Sequence, residues 1–145
     1  MSLNRNSLGG LAVVFLAGLG VGHMLPSPVA HAQSDRRVFE LRTYTAPEGK
    51  LPELQARFRN HTMRIFNKHN MTSVGYWVPQ DAPNSQNTLI YILSHPSREA
   101  AKKNWADFQA DPEWQKVSAE SQVNGRIVSK VESVFMEATD YSPIK

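Results

Sequence analysis

Ser97-Arg-Glu-Ala-Ala-Lys-Lys-Asn-Trp-Ala-Asp-Phe-Gln-Ala-Asp-Pro-Glu-Trp114 is the stretch that decides the fold. Ala101, Trp105 and Phe108 recur at i, i+4 and i+7, while Arg98, Lys102, Lys103 and Gln109 lie off that line. This is a helix with one buried stripe. The stretch then stops and restarts. Asp111 can accept from the free N–H groups of a new helix, and Pro112 suits its first position. Glu113 falls where the positive end of the helix dipole favours an acid, and Trp114 brings a large apolar surface into the first turn. Short strands flank the pair of helices, so a helical layer is expected to cover a sheet.

Working outward, Thr88–Ser94 is apolar on both faces and reads as a covered, central strand. Before it, 80–87 has turn residues and no periodicity, a loop. Met71–Pro79 reads as a strand with Val74, Tyr76 and Val78 opposite Ser73, Gly75 and Trp77. Leu51, Leu54, Phe58, Ile65 and Phe66 take helical spacing to about residue 70, with Pro52 tolerated in the first turn. Val38–Thr45 is a strand whose alternation puts Phe39, Leu41 and Thr43 on a plain core face, and Glu40, Arg42 and Tyr44 on the other. Past the helices, Gly125 marks a break and Ile127–Thr139 reads as the last strand. Val131, Ser133 and Phe135 share one of its faces, and Glu132, Val134 and Met136 the other.

The order is β-α-β-β-α-β, an α+β, ferredoxin-like arrangement with helices on one face of an antiparallel sheet. The other face would be an aromatic and apolar patch too large to leave in water. Pairing of two copies sheet to sheet about a two-fold axis covers it. A homodimer is therefore expected.

Residues 1–32 stand apart. Arg5 precedes an uncharged run at 8–22, then come Pro26, Pro28 and Ala30-His31-Ala32. This pattern is a signal peptide cleaved after Ala32, so export to the periplasm or beyond is expected. An uncleaved N-terminal membrane anchor is the alternative, although the run is short for a span. The domain is then 33–145. All 13 acidic residues lie in it, with all but one of the 16 basic ones, so it is close to neutral and nucleic acid is not suggested. There are no cysteines, which removes disulfides, thiolate nucleophiles and Cys-ligated metals.

Five short pieces line up in order: Glu40-Leu41-Arg42-Thr43-Tyr44, Gly49-Lys50, Gly75-Tyr76-Trp77, Asp111-Pro112-Glu113-Trp114 and Tyr141-Ser142-Pro143. Together they resemble the NIPSNAP family and span nearly all of 33–145. The resemblance implies a ferredoxin-like domain pairing into a dimeric α/β barrel. That fold group includes cofactor-independent monooxygenases, haem-degrading enzymes and chlorite dismutase-like haem proteins. The family's links are mainly to mitochondria and vesicle trafficking, from which the secretory leader departs, and it supplies no catalytic residue set to carry over.

The chemistry is sparse. His61 and His69 lie eight residues apart on one helix, about 80° around and roughly 12 Å along its axis, and cannot share a metal. No His-Glu-x-x-His or acidic cluster is present. A single-histidine haem fits the spacing, but a surface or satisfied histidine is the commoner outcome, and no metal or cofactor is expected. No serine sits in Gly-x-Ser-x-Gly. If the Glu40–Arg42 face lines the dimer barrel, these charges are buried with Tyr44, Trp77 and Tyr91. Glu40 and Arg42 then either pair simply with each other or across the interface, or line an aromatic pocket for a small aromatic or lipid-like molecule. In the second case Arg42 binds an anionic or enolate oxygen, Tyr44 donates a hydrogen bond and Glu40 acts as a base. Trp105 and Trp114 read as core, and Arg98, Lys102 and Lys103 as a solvated face. A binding or structural module is the leading expectation, with a monooxygenase-like enzyme or small-ligand binder as the alternative.

Overall fold

The computed structural model describes residues 37–145, and the expected leader at 1–32 lies outside them. Four strands, β1 (Val38–Thr45), β2 (Thr72–Trp77), β3 (Thr88–His95) and β4 (Lys130–Glu137), form one antiparallel sheet in the order β2-β3-β1-β4. The helices are α1 (Leu51–Arg57), α2 (Met63–Lys68), α3 (Arg98–Ala110) and α4 (Pro112–Glu120). This is the ferredoxin-like arrangement, with β1 between β3 and the edge strand β4.

The restart in the deciding stretch is real. The Ser97 side chain accepts from the Ala100 N–H to begin α3, and Asp111 accepts from the Glu113 N–H at 2.8 Å to begin α4. Asp111 Oδ2 also takes His69 Nε2 at 2.6 Å and Lys68 Nζ at 2.7 Å, fastening the end of α2 to the start of α4. Ala101 and Phe108 are buried as the stripe requires, and Phe108 stacks against Trp114 with ring centroids 4.4 Å apart.

Two departures from regular periodicity matter. The expected long first helix is interrupted by a π-helical turn, Phe58–Thr62, that joins α1 to α2. Thr62 is buried and its hydroxyl donates to the Arg57 carbonyl five residues back, while the Met63 N–H reaches the Phe58 carbonyl, also five back. The second departure is a register shift in β2 between Ser73 and Gly75. Strict alternation puts Val74 with Tyr76, but the irregularity turns Val74 to the helix-free face, while Tyr76 stays with the core. Trp77 lies across Gly75, where an added Cβ would come within 2.6 Å of its ring.

The larger correction concerns β1. The helices cover the Glu40–Arg42–Tyr44 face, not the Phe39–Leu41–Thr43 face. Cross-strand register puts Glu40 beside Leu93 and Phe135, Arg42 beside Tyr91 and Ser133, and Tyr44 beside Leu89 and Val131. Leu89, Tyr91 and Leu93 belong to the core that α1, α2, α3 and α4 close with Leu54, Phe58, Ile65, Phe66, Phe108 and Val117. The opposite face carries Leu41, Ile92 and Val134 in one row, with Ile90 and Trp77 in the next. Trp77 remains 49% exposed and Val134 55%. The charged face is the buried one because groups from distant segments answer its charges.

Candidate functional site

β1 places the Glu40 carboxylate under α3, where only 1% of the residue is exposed. A lone carboxylate there would carry a large desolvation cost. Four donors answer it. Arg42 Nη1 at 2.7 Å and Ser133 Oγ at 2.7 Å donate to Oε1. Trp105 Nε1 at 2.6 Å donates to Oε2, with His95 Nε2 3.2 Å from the same oxygen. Burial pushes Glu40 up, yet the hydrogen bonds from His95, Ser133 and Trp105 and the Arg42 charge outweigh it and bring the pKa to about 2. The carboxylate's four lone-pair sites are all taken.

Arg42 is held between this carboxylate and an aromatic wall. Its guanidinium lies over the Trp105 ring, 4.1 Å from the centroid, and 5.6 Å from that of Tyr44. Its buried Nε has no hydrogen-bond partner among the described residues. Beyond it Tyr44, Tyr91 and Phe58 pack edge to face, with Tyr44 and Tyr91 centroids 5.3 Å apart, so the space deeper along the sheet is filled by rings. Burial raises the Tyr91 hydroxyl well above its ordinary value.

Of the five residues expected to share a pocket, Glu40, Arg42, Tyr44 and Tyr91 are brought together under the helices. Trp77 is not, because its β2 position faces the other side of the sheet. The Glu40–Arg42 pairing anticipated from the strand face is made within the chain. A cleft of about 600 Å³ opens on this pair. Trp105, Ser133 and Phe135 wall it, and Arg98, Glu99 and Lys102 stand at its border. The Arg98 guanidinium stacks on Phe135, 4.4 Å from its centroid. Among the described residues, Arg98 and Lys102 make no ion pair, whereas Lys103 one step on is spent on Asp107. Glu99 lies in the first turn of α3, where backbone N–H and Ser97 hold its charge and lower its pKa.

Sequence reading missed His95, Ser133, Trp105 and Phe135 as neighbours of Glu40. Strand alternation carried part of the signal, since Ser133 and Phe135 share a face of β4. The indole N–H of Trp105 is the part that periodicity cannot show, because it depends on the rotamer of a half-buried ring. Of the other histidines, His61 is exposed on the π turn and His69 is engaged by Asp111. Among the described residues no three potential ligands gather into a metal-holding group.

Residues 39–143 match the NIPSNAP family model. A NIPSNAP family protein of unknown function from Agrobacterium tumefaciens has a similar structure, at 21% identity and a TM-score of 0.67, over 77% of this chain and 96% of that one. A NIPSNAP-like domain protein from Burkholderia xenovorans is similar at 17% identity and TM-score 0.65, over 75% and 90%. SnoaB, a cofactor-independent oxygenase from Streptomyces nogalater, shares the fold more distantly, at 16% identity and TM-score 0.50, over 74% and 98%. No curated protein matches by sequence. With five separate motifs in register and a family match over nearly all of the described domain, the chain belongs to the NIPSNAP family.

Proposed function

We propose that this protein is an exported homodimer that binds a small aromatic anion, such as an aryl carboxylate, in the cleft between α3 and β4. The observation that carries the reading is the state of Glu40. Four donors, Arg42 among them, saturate it, so the exposed cations Arg98 and Lys102 face the cavity with only the border residue Glu99 against them. Trp105 and Phe135 supply flat apolar walls for a ring, and the cations a socket for its charge. A carboxylate held at about 2 is a weak base at neutral pH, where general bases work best with pKa values near 7. Binding therefore fits this geometry better than proton abstraction.

The dimer is supported by the sheet face that no helix covers among the described residues. Leu41, Ile90, Ile92 and Val134 form an aliphatic surface with Trp77 at one end. A second copy can cover it by the same surface. The leader pattern at 1–32 supports export, and the mass of the secreted chain tests it.

Titration with 2-naphthoate, followed by tryptophan fluorescence, tests the binding. Wild type should saturate, and the exposed double variant Arg98→Glu/Lys102→Glu should bind at least about tenfold more weakly, since each lost charged contact is worth about 1.5–3 kcal/mol. Equal affinity in the two proteins, or no saturation in wild type, overturns the reading. Native mass spectrometry tests the dimer: a monomer at micromolar concentration would count against it.

A further inference from the structure

We propose a second binding site, for the oxyanion of a small ligand, in the groove between α1 and the end of α4, with Arg57 as its anchor. Arg57 is only 6% exposed, yet no carboxylate lies within ion-pair distance of it among the described residues. Its Nη1 donates to Ser121 Oγ at a long 3.4 Å, and its buried Nε has no partner. The guanidinium lies 5.2 Å from the Trp114 ring centroid. Stacking of this kind serves the face of the group and leaves its edge with only the long contact to Ser121. Arg42 shows the contrast, since a buried guanidinium elsewhere in the same domain has its own carboxylate. Burying a charge without a partner is costly, and the cost is recovered when an anion supplies the partner.

The surroundings fit an anion. A groove of about 370 Å³ opens beside Arg57. Asn60 and His61 reach it from the π-helical turn, and Ser121 and Asn124 from the end of α4. The π turn begins directly after Arg57, and such insertions occur frequently at functional sites. Two acids also border the groove, Glu53 and Glu120. Each has a lysine close by: Lys50, just ahead of α1, lies 2.8 Å from Glu53, and Lys116 on α4 lies 3.8 Å from Glu120. The rim is thus close to neutral, and the buried guanidinium is the uncompensated charge. A carboxylate or a phosphate group meets the same requirement, because either accepts a guanidinium fork through two oxygens. This site is separate from the cleft over Glu40 and does not depend on it.

The test uses acetate and inorganic phosphate as separate probes, by calorimetry and by thermal unfolding. The Arg98→Glu/Lys102→Glu background is used so that binding at the cleft does not contribute. Saturable binding of either probe is expected, weakened at least about tenfold by Arg57→Met. Arg57→Met keeps the length of the stem and removes the charge, so without ligand it should unfold at the same temperature or higher. Ser121→Ala should weaken binding about two- to tenfold through one hydrogen bond. Binding of phosphate alone identifies a phosphoryl ligand, acetate alone a carboxylate, and both support the shared chemistry. No saturable binding of either probe, or equal binding by Arg57→Met, overturns the site.

Discussion

The two faces of the sheet have exchanged the roles their composition suggests. The face that holds Glu40, Arg42, Tyr44 and Tyr91 is the buried one. The face that holds Leu41, Ile90, Ile92 and Val134 has no helical layer over it among the described residues. The difference teaches that apolarity alone does not choose the face a helical layer covers. A charged face is buried when its carboxylate is answered, and Glu40 with four donors meets that condition. The aliphatic face, which needs no such answers, is then free to pair with another copy.

The sharpest way to break the comparison is Glu40→Ala. It leaves the half-buried Arg42 cation and Trp105 N–H, and the fully buried His95, without their acceptor. The expected loss is about 3–5 kcal/mol, read from denaturant unfolding. A loss under about 1 kcal/mol would mean that the network contributes little and the faces are not distinguished by it.

Acid should act through the same carboxylate. Its folded pKa, about 2, lies below the ordinary value of 4.5, so its contribution is present above pH 4.5 and is lost as the pH falls from there towards 2. The two and a half pH units correspond to on the order of 3 kcal/mol. Glu40→Gln should flatten that part of the stability–pH curve. An equally steep curve in the variant would place the acid sensitivity elsewhere.

Neighbouring residues on β3 sharpen the comparison further. Leu93 is fully buried under the helices, and Ile92 faces the open side. Leu93→Ala should cost about 2–5 kcal/mol in monomer stability. Ile92→Ala should cost clearly less there, and Ile92→Glu should shift the mass-spectrometric dimer towards monomer. Equal monomer costs at 92 and 93 would contradict the assignment of the faces. The smallest effect is expected at Gly75→Ala. Its new methyl group must displace the Trp77 ring, but that ring is half exposed and has room to move. A stability change within about 1 kcal/mol, with a shift in Trp77 emission, is the expected result.

Much of the architecture was legible because it rests on local signals. Asp111-Pro112-Glu113 announces a helix start whatever surrounds it, and the Ala101–Phe108 stripe needs only its spacing. Alternation in β1 and β4 correctly divided the residues into two sets. What it could not supply was which set lies inward, since that depends on Trp105, His95 and Ser133 arriving from elsewhere to meet Glu40. Trp77 departs from the expected pocket because its register opposite Ile90, and not its residue type, decides its face. The π turn left no mark in the periodicity, and its best local clue is Thr62, a hydroxyl residue at a buried helical position. Arg57 shows the limit from the other direction: nothing in its neighbours along the chain says that it is buried without an acid.

The Glu40 network also bears on the order in which the chain folds. The carboxylate joins β1 to His95 across 55 residues, to Trp105 across 65 and to Ser133 across 93. Each of those contacts closes a long loop, and the buried charge is uncomfortable until most of them exist. Such a group works as a late latch: it rewards the assembled sheet and offers little to a half-built one. Folding limited by long-range closure is slow, and substitutions at Glu40 should chiefly speed unfolding and leave the folding limb nearly unchanged. The same residue that anchors the cleft would then govern how long a molecule, once assembled, stays so.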